Sequence, residues 1–216
     1  MEKKIVMVTG ATSGIGEACA RKFASGGYNV IITGRRGEKL DALRQELESM
    51  GAEVLAMQFD VRERESARKA VDFLKGKWAK IDVLINNAGL ALGLDKEYEG
   101  DFNDWDTMID TNIKGLLNMT RFVVPGMVER NEGHVINIGS VAGDAAYANG
   151  NVYCATKAAV KALSDGLRID VAESDVRVTN LKPGLVQTNF SNVRFHGDDA
   201  RAESVYKGVK PLTGDD

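Results

Sequence analysis

The sequence predicts a doubly wound α/β fold, in which helices cover both faces of a parallel sheet. Short runs rich in β-branched residues alternate with longer segments whose apolar residues recur at helical spacing. A glycine-rich segment, residues 10–16, lies where the first run would pass into the first helix. Strands separated by single helices require right-handed crossovers, and such crossovers produce parallel strands.

Six runs are predicted as strands, and two of the helices between them show a clear apolar face. The strands are Lys4–Thr9, Tyr28–Thr33, Glu53–Phe59, Ile81–Asn86, His134–Ile138 and Val176–Leu181. The apolar faces consist of Leu40, Leu43, Leu47 and Met50 in one helix and of Ala67, Ala70, Leu74 and Trp78 in another.

We expect one domain over residues 1–216. The length suits one well-packed domain and is short for two. Only three prolines occur, and no linker rich in Ser, Gly and Pro divides the chain. The sequence contains no internal repeat beyond the alternation of strands and helices.

Composition excludes several classes of function. Lys and Arg number 28 against 31 acidic residues, a net charge of −3 that gives no support for a nucleic-acid or membrane partner. Cys19 and Cys154 do not form a metal-ligand spacing, so we predict free thiols and no metal. No signal-peptide core or membrane span is recognisable, which predicts a cytoplasmic protein.

The glycine-rich segment is predicted to hold the phosphates of a dinucleotide. Glycine permits a sharp turn and the close approach of a pyrophosphate, and the following helix start offers unpaired N–H groups. The spacing differs from the common G-x-G-x-x-G pattern, and the absence of Gly-Lys-Ser/Thr disfavours a P-loop. The contributing residues are Gly10, Thr12, Ser13, Gly14, Ile15 and Gly16.

The end of the second strand predicts a preference for NADP(H). Gly34 lies 18 residues after Gly16, where NAD-preferring folds usually carry an Asp or Glu for the ribose 2′-OH. Arg35 and Arg36 follow, and their guanidinium groups suit a 2′-phosphate. The alternative is that both arginines belong to a polar loop that opens the next helix.

Tyr153 and Lys157 are the predicted catalytic pair. Their spacing puts them on one helix face, and Ser140 lies 13 residues before Tyr153 at the end of a predicted strand. Tyr206 and Lys210 share the spacing but lie in a polar tail.

Reduction of a carbonyl requires a hydride at carbon and a proton for the oxygen. An ammonium about 4 Å from the phenol would favour the phenolate by up to roughly 4 kcal/mol. We therefore expect Lys157 to lower the pKa of Tyr153 towards neutrality, and Ser140 to hydrogen-bond the carbonyl oxygen.

The chain resembles the short-chain dehydrogenase/reductase family over essentially its whole length. The matching motifs are Thr9-Gly10-x-x-x-Gly14-Ile15-Gly16, Asp60-Val61, Asn86-Asn87-Ala88-Gly89, Asn112, Ser140, Tyr153-x-x-x-Lys157 and Pro183-Gly184.

The resemblance implies a role for each matching residue. Asp60 and Val61 would contact adenine, and Asn87, Ala88 and Gly89 would line the cofactor. Asn112 would hold a water that links Lys157 to solvent, and Lys157 would also bond the nicotinamide ribose. Pro183 and Gly184 would lead to Val186 and Thr188 at the carboxamide. Read singly, Asn112 is equally a helix-packing amide and Asn86–Gly89 an ordinary turn.

A closer resemblance is to the NADP-dependent 3-hydroxy acid dehydrogenases, which oxidise serine-like acids and reduce small semialdehydes. It is carried by the segments 87–93, 108–112, 125–131 and 190–195. The last segment lies in the family's substrate lid, here about residues 188–212. Arg194 would clamp a substrate carboxylate there, unless it is simply a solvent-exposed lid arginine.

The resemblance also bears on assembly. Family members usually continue into another helix and a final strand, so either the chain is truncated or the sheet ends one strand early. The missing strand would leave an edge unpaired. The predicted helices Trp105–Arg130 and Asn151–Glu173 carry small and apolar residues on more than one face. In the family they form the dimer interface, which implies a homodimer or homotetramer.

Two alternatives remain open. One is a reductase of a bulkier ketone, aldehyde or 3-oxoacyl substrate that uses the same residues. The other is an NADP(H)-binding scaffold or redox sensor without turnover. The set Asn112, Ser140, Tyr153 and Lys157 argues against the second, because a protein that only binds a cofactor has no use for a proton relay.

Overall fold

Six parallel strands form one sheet in the structure, a computed structural model that describes residues 3–216. The strands lie within or close to the predicted runs, and they are β1 (Ile5–Val8), β2 (Asn29–Gly34), β3 (Val54–Gln58), β4 (Val83–Asn86), β5 (Gly133–Ile138) and β6 (Val176–Leu181). The predicted fold class is confirmed.

The strand order is β3-β2-β1-β4-β5-β6. Val6 of β1 is in register with Val30 of β2 on one side and with Val83 of β4 on the other. The chain therefore places β2 and β3 on one side of β1 and then returns to place β4, β5 and β6 on the other side. In such sheets, ligands bind at this reversal, beyond the carboxyl ends of the strands.

Helices cover both faces of the sheet. They are α1 (Gly14–Ser25), α2 (Gly37–Ser49), α3 (Arg64–Asp72), α4 (Phe102–Ile109), α5 (Leu116–Glu129), α6 (Asn151–Asp170), α7 (Phe190–Arg194) and α8 (Asp199–Ser204).

Residues of β1 alternate between two hydrophobic cores because successive strand side chains point to opposite faces. Val6 and Val8 pack with side chains of α1 and α2. Ile5 and Met7 pack on the other face with side chains of α3 and α5. A central strand buried on both faces reads as a continuous apolar run, which is why β1 shows no polar alternation.

The first predicted apolar face extends beyond the end of its helix. Leu40, Leu43 and Leu47 are buried in α2, but Met50 follows the end of the helix and is 42% exposed. Gly51 comes next with φ +86°, a conformation that ends helices. The inclusion of Met50 in the buried face was therefore wrong.

The second predicted apolar face also extends beyond the end of its helix. Ala67 is buried within α3, whereas Leu74 and Trp78 lie beyond the last residue of that helix. Trp78 belongs to a short 3₁₀ turn, Gly76–Ala79, and packs against the core from there.

The predicted helix Trp105–Arg130 is divided into two. A π-helical turn, Asp110–Gly115, joins α4 to α5 and contains Asn112. Such turns interrupt the regular hydrogen-bond ladder and occur frequently at functional sites. None of the helices described over residues 3–216 combines the length and the apolar character needed to cross a membrane.

Candidate active site

A cavity of about 990 Å³ opens at the reversal of strand order, beside the carboxyl ends of β1 and β4. The predicted site residues line this cavity, with the exception of Gly16 and Asn112. The lining members are Gly10, Thr12, Ser13, Gly14, Ile15, Arg35, Arg36, Asp60, Val61, Asn87, Ala88, Gly89, Ser140, Tyr153, Lys157, Pro183, Gly184, Val186, Thr188 and Arg194.

The turn between β1 and α1 has the backbone that a phosphate site requires. Gly10 and Gly14 adopt φ values of +64° and +59°, which side chains other than glycine's rarely tolerate. A Cβ at Gly10 would lie 2.8 Å from the Cα of Ala88. The helix α1 begins at Gly14, so its unpaired N–H groups face the cavity end of the sheet.

Hydrogen bonds from Asn87 fix this turn against the loop after β4. The Asn87 Nδ2 atom donates to the carbonyls of Thr9 at 2.9 Å and of Gly10 at 3.1 Å. The Thr9 hydroxyl accepts from the backbone N–H groups of Asn87 and Ala88, each at 3.0 Å. Gly16 lies behind the turn, where a Cβ would meet the Gly10 carbonyl at 2.6 Å.

Two guanidinium groups stand at the end of β2. Arg36 donates to the Thr12 hydroxyl at 2.6 and 3.1 Å and to the Ser13 hydroxyl at 3.0 Å. The Arg35 Nη1 atom lies 3.8 Å from an Asp60 carboxylate oxygen. Only Arg35 and Arg36 lie between the end of β2 and the start of α2, with no Asp or Glu beside them, so the electrostatics of this corner suit a 2′-phosphate and the residues fit NADP(H).

Asp60 faces the same corner of the cavity. Burial opposes its ionisation, but the hydrogen bonds from the Arg62 side chain and backbone outweigh burial, so the pKa of Asp60 is lowered. The carboxylate is thus charged at neutral pH, and Arg62 holds it at 2.7 Å.

Tyr153 lies in the first turn of α6 and is 9% exposed. Its ring packs edge-on against Phe190 of α7, with the ring centres 5.7 Å apart. Burial raises the pKa of Tyr153 to about 12, although the Ser140 hydroxyl and the Arg194 guanidinium act in the opposite direction. The phenol is therefore protonated at neutral pH.

Lys157 lies one turn further along α6, as its spacing predicts. Its ammonium donates to the Ile138 carbonyl at 2.8 Å and stands 5.9 Å from the centre of the Tyr153 ring. Burial lowers the pKa of Lys157 to about 8. The expectation that Lys157 would bring the pKa of Tyr153 towards neutrality is wrong for this structure, because burial of the phenol dominates.

Ser140 follows β5 and caps a short 3₁₀ turn, Val141–Gly143. Its hydroxyl accepts from the Ala142 N–H at 3.1 Å. A Cβ at Gly143 would lie 2.6 Å from the Lys157 carbonyl oxygen. Glycine thus lets this turn approach α6, which brings Ser140 to the same wall of the cavity as Tyr153.

Asn112 lies in the π-helical turn and is 2% exposed. Its amide donates to the Leu90 carbonyl at 2.8 Å and to the Thr156 hydroxyl at 3.0 Å, and its oxygen accepts from the Leu90 N–H at 2.9 Å. The side chain therefore ties the loop after β4 to α6. Its predicted water-holding role stays a prediction.

The predicted lid, residues 188–212, contains α7 and α8 and closes over the cavity. A bridge between Val186 and Leu212 joins the two ends of the segment, with the Gln187 N–H donating to the Leu212 carbonyl at 2.7 Å. Arg194 is 8% exposed, which excludes a solvent-exposed lid arginine. It donates to the Gly93 carbonyl at 2.9 Å and to the Tyr147 hydroxyl at 2.8 Å.

The second tyrosine–lysine pair does not form a comparable site. Helix α8 ends at Ser204, so Tyr206 and Lys210 do not share a helical face. The Tyr206 hydroxyl instead lies 2.8 Å from that of Ser191 and holds the lid together. Tyr147 is a cavity residue that the sequence reasoning missed, although a tyrosine between Ser140 and Tyr153 was an available signal.

Comparison with protein families gives one match over most of the chain. Residues 4–199 match the family model described as short chain dehydrogenase. An NADP-dependent 3-hydroxy acid dehydrogenase (YdfG) from Salmonella typhi is 55% identical over 98% of this chain and 85% of its own length. A serine 3-dehydrogenase from Rhizobium radiobacter is 46% identical over 98% of this chain and 83% of its own.

Solved structures give the same result. A closed form of a serine dehydrogenase complexed with NADP⁺ superimposes with a TM-score of 0.95 and 53% identity, covering 98% of this chain and 85% of the other. A short-chain dehydrogenase from Sphingobium yanoikuyae in complex with NADPH gives a TM-score of 0.86 and 30% identity, with coverages of 98% and 80%.

Proposed function

Because the chain belongs to the short-chain dehydrogenase family, we propose that it is an NADP(H)-dependent oxidoreductase for a small, serine-like 3-hydroxy acid. The reaction interconverts this acid and its carbonyl or semialdehyde form. One observation carries the proposal: the Tyr153 ring lies 5.8 Å from the buried Arg194 guanidinium, in the cavity that also contains the glycine turn. A proton donor and a site for a carboxylate thus share one chamber.

NADP(H), when bound, donates or accepts the hydride at the reacting carbon. The glycine turn and the start of α1 would hold its pyrophosphate, and Arg35 and Arg36 its 2′-phosphate. Asp60 and Val61 would contact the adenine. The remaining contacts are assigned to Asn87, Ala88, Gly89, Tyr153, Lys157, Pro183, Gly184, Val186 and Thr188.

Tyr153 would donate the proton in the direction of reduction. A phenol with a pKa of about 12 stays protonated at neutral pH, and it gives its proton readily to the more basic alkoxide that develops on the substrate. Ser140 would hydrogen-bond the same oxygen as negative charge builds there. In the direction of oxidation, Ser140 and Arg194 favour the phenolate that must accept the substrate proton.

Lys157 and Asn112 would complete the site. Lys157 would bond the nicotinamide ribose, and the turn that carries Asn112 would hold the water through which Lys157 exchanges protons with solvent. The π-helical turn and the buried ammonium support this assignment. Arg194 would bind the substrate carboxylate.

A steady-state screen of 3-hydroxy acids and their semialdehydes with both cofactors tests the proposal. We expect turnover with NADP(H), a lower kcat/KM with NAD(H), and a loss of about 10²–10⁴-fold in kcat for Tyr153→Phe. Tyr98→Phe, an exposed tyrosine outside the cavity, is the matched control.

Three outcomes would contradict this proposal. Equal or better kcat/KM with NADH removes the assigned role of Arg35 and Arg36. Higher kcat/KM for bulky ketones or 3-oxoacyl compounds than for small acids favours the alternative reductase. Binding of NADPH without turnover of any small carbonyl favours a scaffold.

We further propose that the protein forms a homodimer or homotetramer in the cytoplasm. Exposed small and apolar side chains on α5 and α6 support assembly, among them Leu117, Ala155, Ala158 and Ala162. The free thiols of Cys19 and Cys154 suit a reducing compartment.

A further inference from the structure

Tyr147 lies on the loop before α6 and has no role in the chemistry described above. The loop is shaped to present it: the Gly150 N–H donates to the Tyr147 carbonyl at 3.1 Å, and Asn149 adopts φ +64°. A Cβ at Gly150 would overlap the Tyr147 ring, so the glycine lets the ring lie against the start of α6. The ring is 40% exposed and lines the cavity.

Arg194, the partner of Tyr147, is a buried cation without a compensating charge. Its two protein acceptors, the Gly93 carbonyl and the Tyr147 hydroxyl, are both neutral. Over the described range 3–216, no carboxylate forms an ion pair with it, and nearby Asp104 pairs with His196 instead. Burial of an unpaired charge is costly, so the site is built for an anion.

The hydrogen bond between the two side chains has a fixed direction. A guanidinium has donors only, so the Tyr147 oxygen must accept from Arg194. The phenol proton of Tyr147 is therefore available for another acceptor. The Arg194 Nη2 atom likewise has no protein acceptor among residues 3–216. Two neighbouring donors are thus left for the two oxygens of a carboxylate.

We propose that Tyr147 is a specificity-determining residue that selects substrates with a carboxylate. Its hydroxyl accepts from the Arg194 guanidinium, which holds that group in place, and donates a hydrogen bond to the bound carboxylate. The guanidinium stands 5.5 Å from the Tyr147 ring and 5.8 Å from the Tyr153 ring, so the carboxylate and the reacting carbon must be close together in the substrate. This inference rests on the proposed function.

Tyr147→Phe tests the inference because it removes the hydroxyl and keeps the ring. We would measure oxidation of 3-hydroxypropanoate and of the neutral propane-1,3-diol with NADP⁺. For the variant we expect KM for the acid to rise about tenfold, the effect of one lost hydrogen bond to a charged group. The kcat for the acid, the kcat/KM for the diol and the KM for NADP⁺ should stay within about twofold.

Two further variants make the result interpretable. Arg194→Ala should raise KM for the acid more than Tyr147→Phe does. Tyr147→Phe should have a smaller effect in the Arg194→Ala background than in the wild type, because Tyr147 and Arg194 are coupled through their hydrogen bond. Tyr98→Phe should leave all constants unchanged.

Distinct outcomes overturn the inference and the proposed function. An unchanged KM for the acid in Tyr147→Phe, or an equal loss on acid and diol, overturns the inference alone. An equal change in KM for NADP⁺ also overturns it, because Tyr147 would then support the fold of the site generally. Wild-type protein that does not oxidise any 3-hydroxy acid overturns the proposed function, and the inference with it.

Discussion

At the scale of single residues, burial of the Lys157 ammonium lowers the stability of the folded protein. Only 6% of this side chain is exposed, and its ammonium has the Ile138 carbonyl as its hydrogen-bond acceptor. Burial lowers the pKa of Lys157 to about 8, from an ordinary value of 10.5. The charged form is thus less favourable in the folded protein than in the unfolded chain.

Replacement of Lys157 by Met should therefore stabilise the protein and abolish turnover. Between pH 8 and 10.5 the unfolded chain binds more protons at this position than the folded protein, so stability rises with pH in that window. At pH 7 the charge costs up to about 3 kcal/mol. In urea, the free energy of unfolding at pH 7 should be larger for Lys157→Met than for wild type. The difference should decrease towards pH 10.

Lys161→Met is the matched control, because Lys161 lies on the same helix but is exposed and paired with Asp165. It should bring no comparable gain in the free energy of unfolding. A Lys157→Met variant less stable than wild type at pH 7 would show that the hydrogen bond to Ile138 outweighs the desolvation of the charge.

The chemistry at this scale was only partly predictable from the sequence. Spacing and position after a strand predicted Tyr153, Lys157 and Ser140 as site residues, and the structure brings the three to one cavity. The shift in the pKa of Tyr153 was predicted with the wrong sign, because it depends on how deeply Phe190 and its neighbours bury the ring. Tyr147 was missed, because its hydrogen bond with Arg194, a residue distant in the chain, leaves no trace in the sequence.

At the scale of elements, the turn between β1 and α1 depends on the absence of side chains. Gly16 lies inside α1, and a Cβ there would overlap the Asn87 amide and meet the Gly10 carbonyl at 2.6 Å. Both groups belong to the network that fixes the turn. The backbone of the turn must therefore shift to admit even a methyl group.

Gly16→Ala should weaken both the fold and cofactor binding. We expect a loss of about 1–3 kcal/mol in the free energy of unfolding, as for other overpacked sites, and a higher Kd for NADPH measured by fluorescence titration. Gly166→Ala in α6, where a Cβ would meet no atom within 4 Å, should instead be neutral or stabilise by up to about 1 kcal/mol. Equal behaviour of the two variants would refute the close-approach argument.

The ends of the elements were less predictable than their presence. The apolar spacing of α2 continues to Met50, and only the conformation of Gly51 shows that the helix has ended. The π-helical turn around Asn112 leaves no mark in the apolar pattern, since residues on both sides of it keep helical spacing. Patterns report which side chains prefer burial, whereas hydrogen-bond geometry decides where a helix stops.

At the scale of the whole molecule, the order of the strands decides where chemistry occurs. Right-handed crossovers from β1 outward and then from β4 outward leave one gap between the flanking helices, and the cavity occupies it. The alternation of elements was enough to predict the parallel sheet. The strand order itself needed the structure or the family resemblance, because sequence spacing alone does not say on which side β4 pairs.

The assembly prediction belongs to this scale. Size-exclusion chromatography with light scattering should give a mass of at least twice 23.4 kDa for the wild-type protein. Ala158→Arg on α6 should reduce the mass, because a long charged side chain replaces a small exposed one. Ala42→Arg, at an exposed position of α2, should not. A wild-type protein of monomer mass would refute the proposed assembly.

The bridge between Val186 and Leu212 gives the lid a single base, because it holds the two ends of the segment together. Because its ends are held together, we expect α7 and α8 to open and close as one unit above the cavity. Arg194, about a third of the way along the segment, would move with them, whereas Val186 at the bridge would stay in place. Under the proposed function, a product carboxylate could then leave without displacement of the residues assigned to the nicotinamide end of the cofactor.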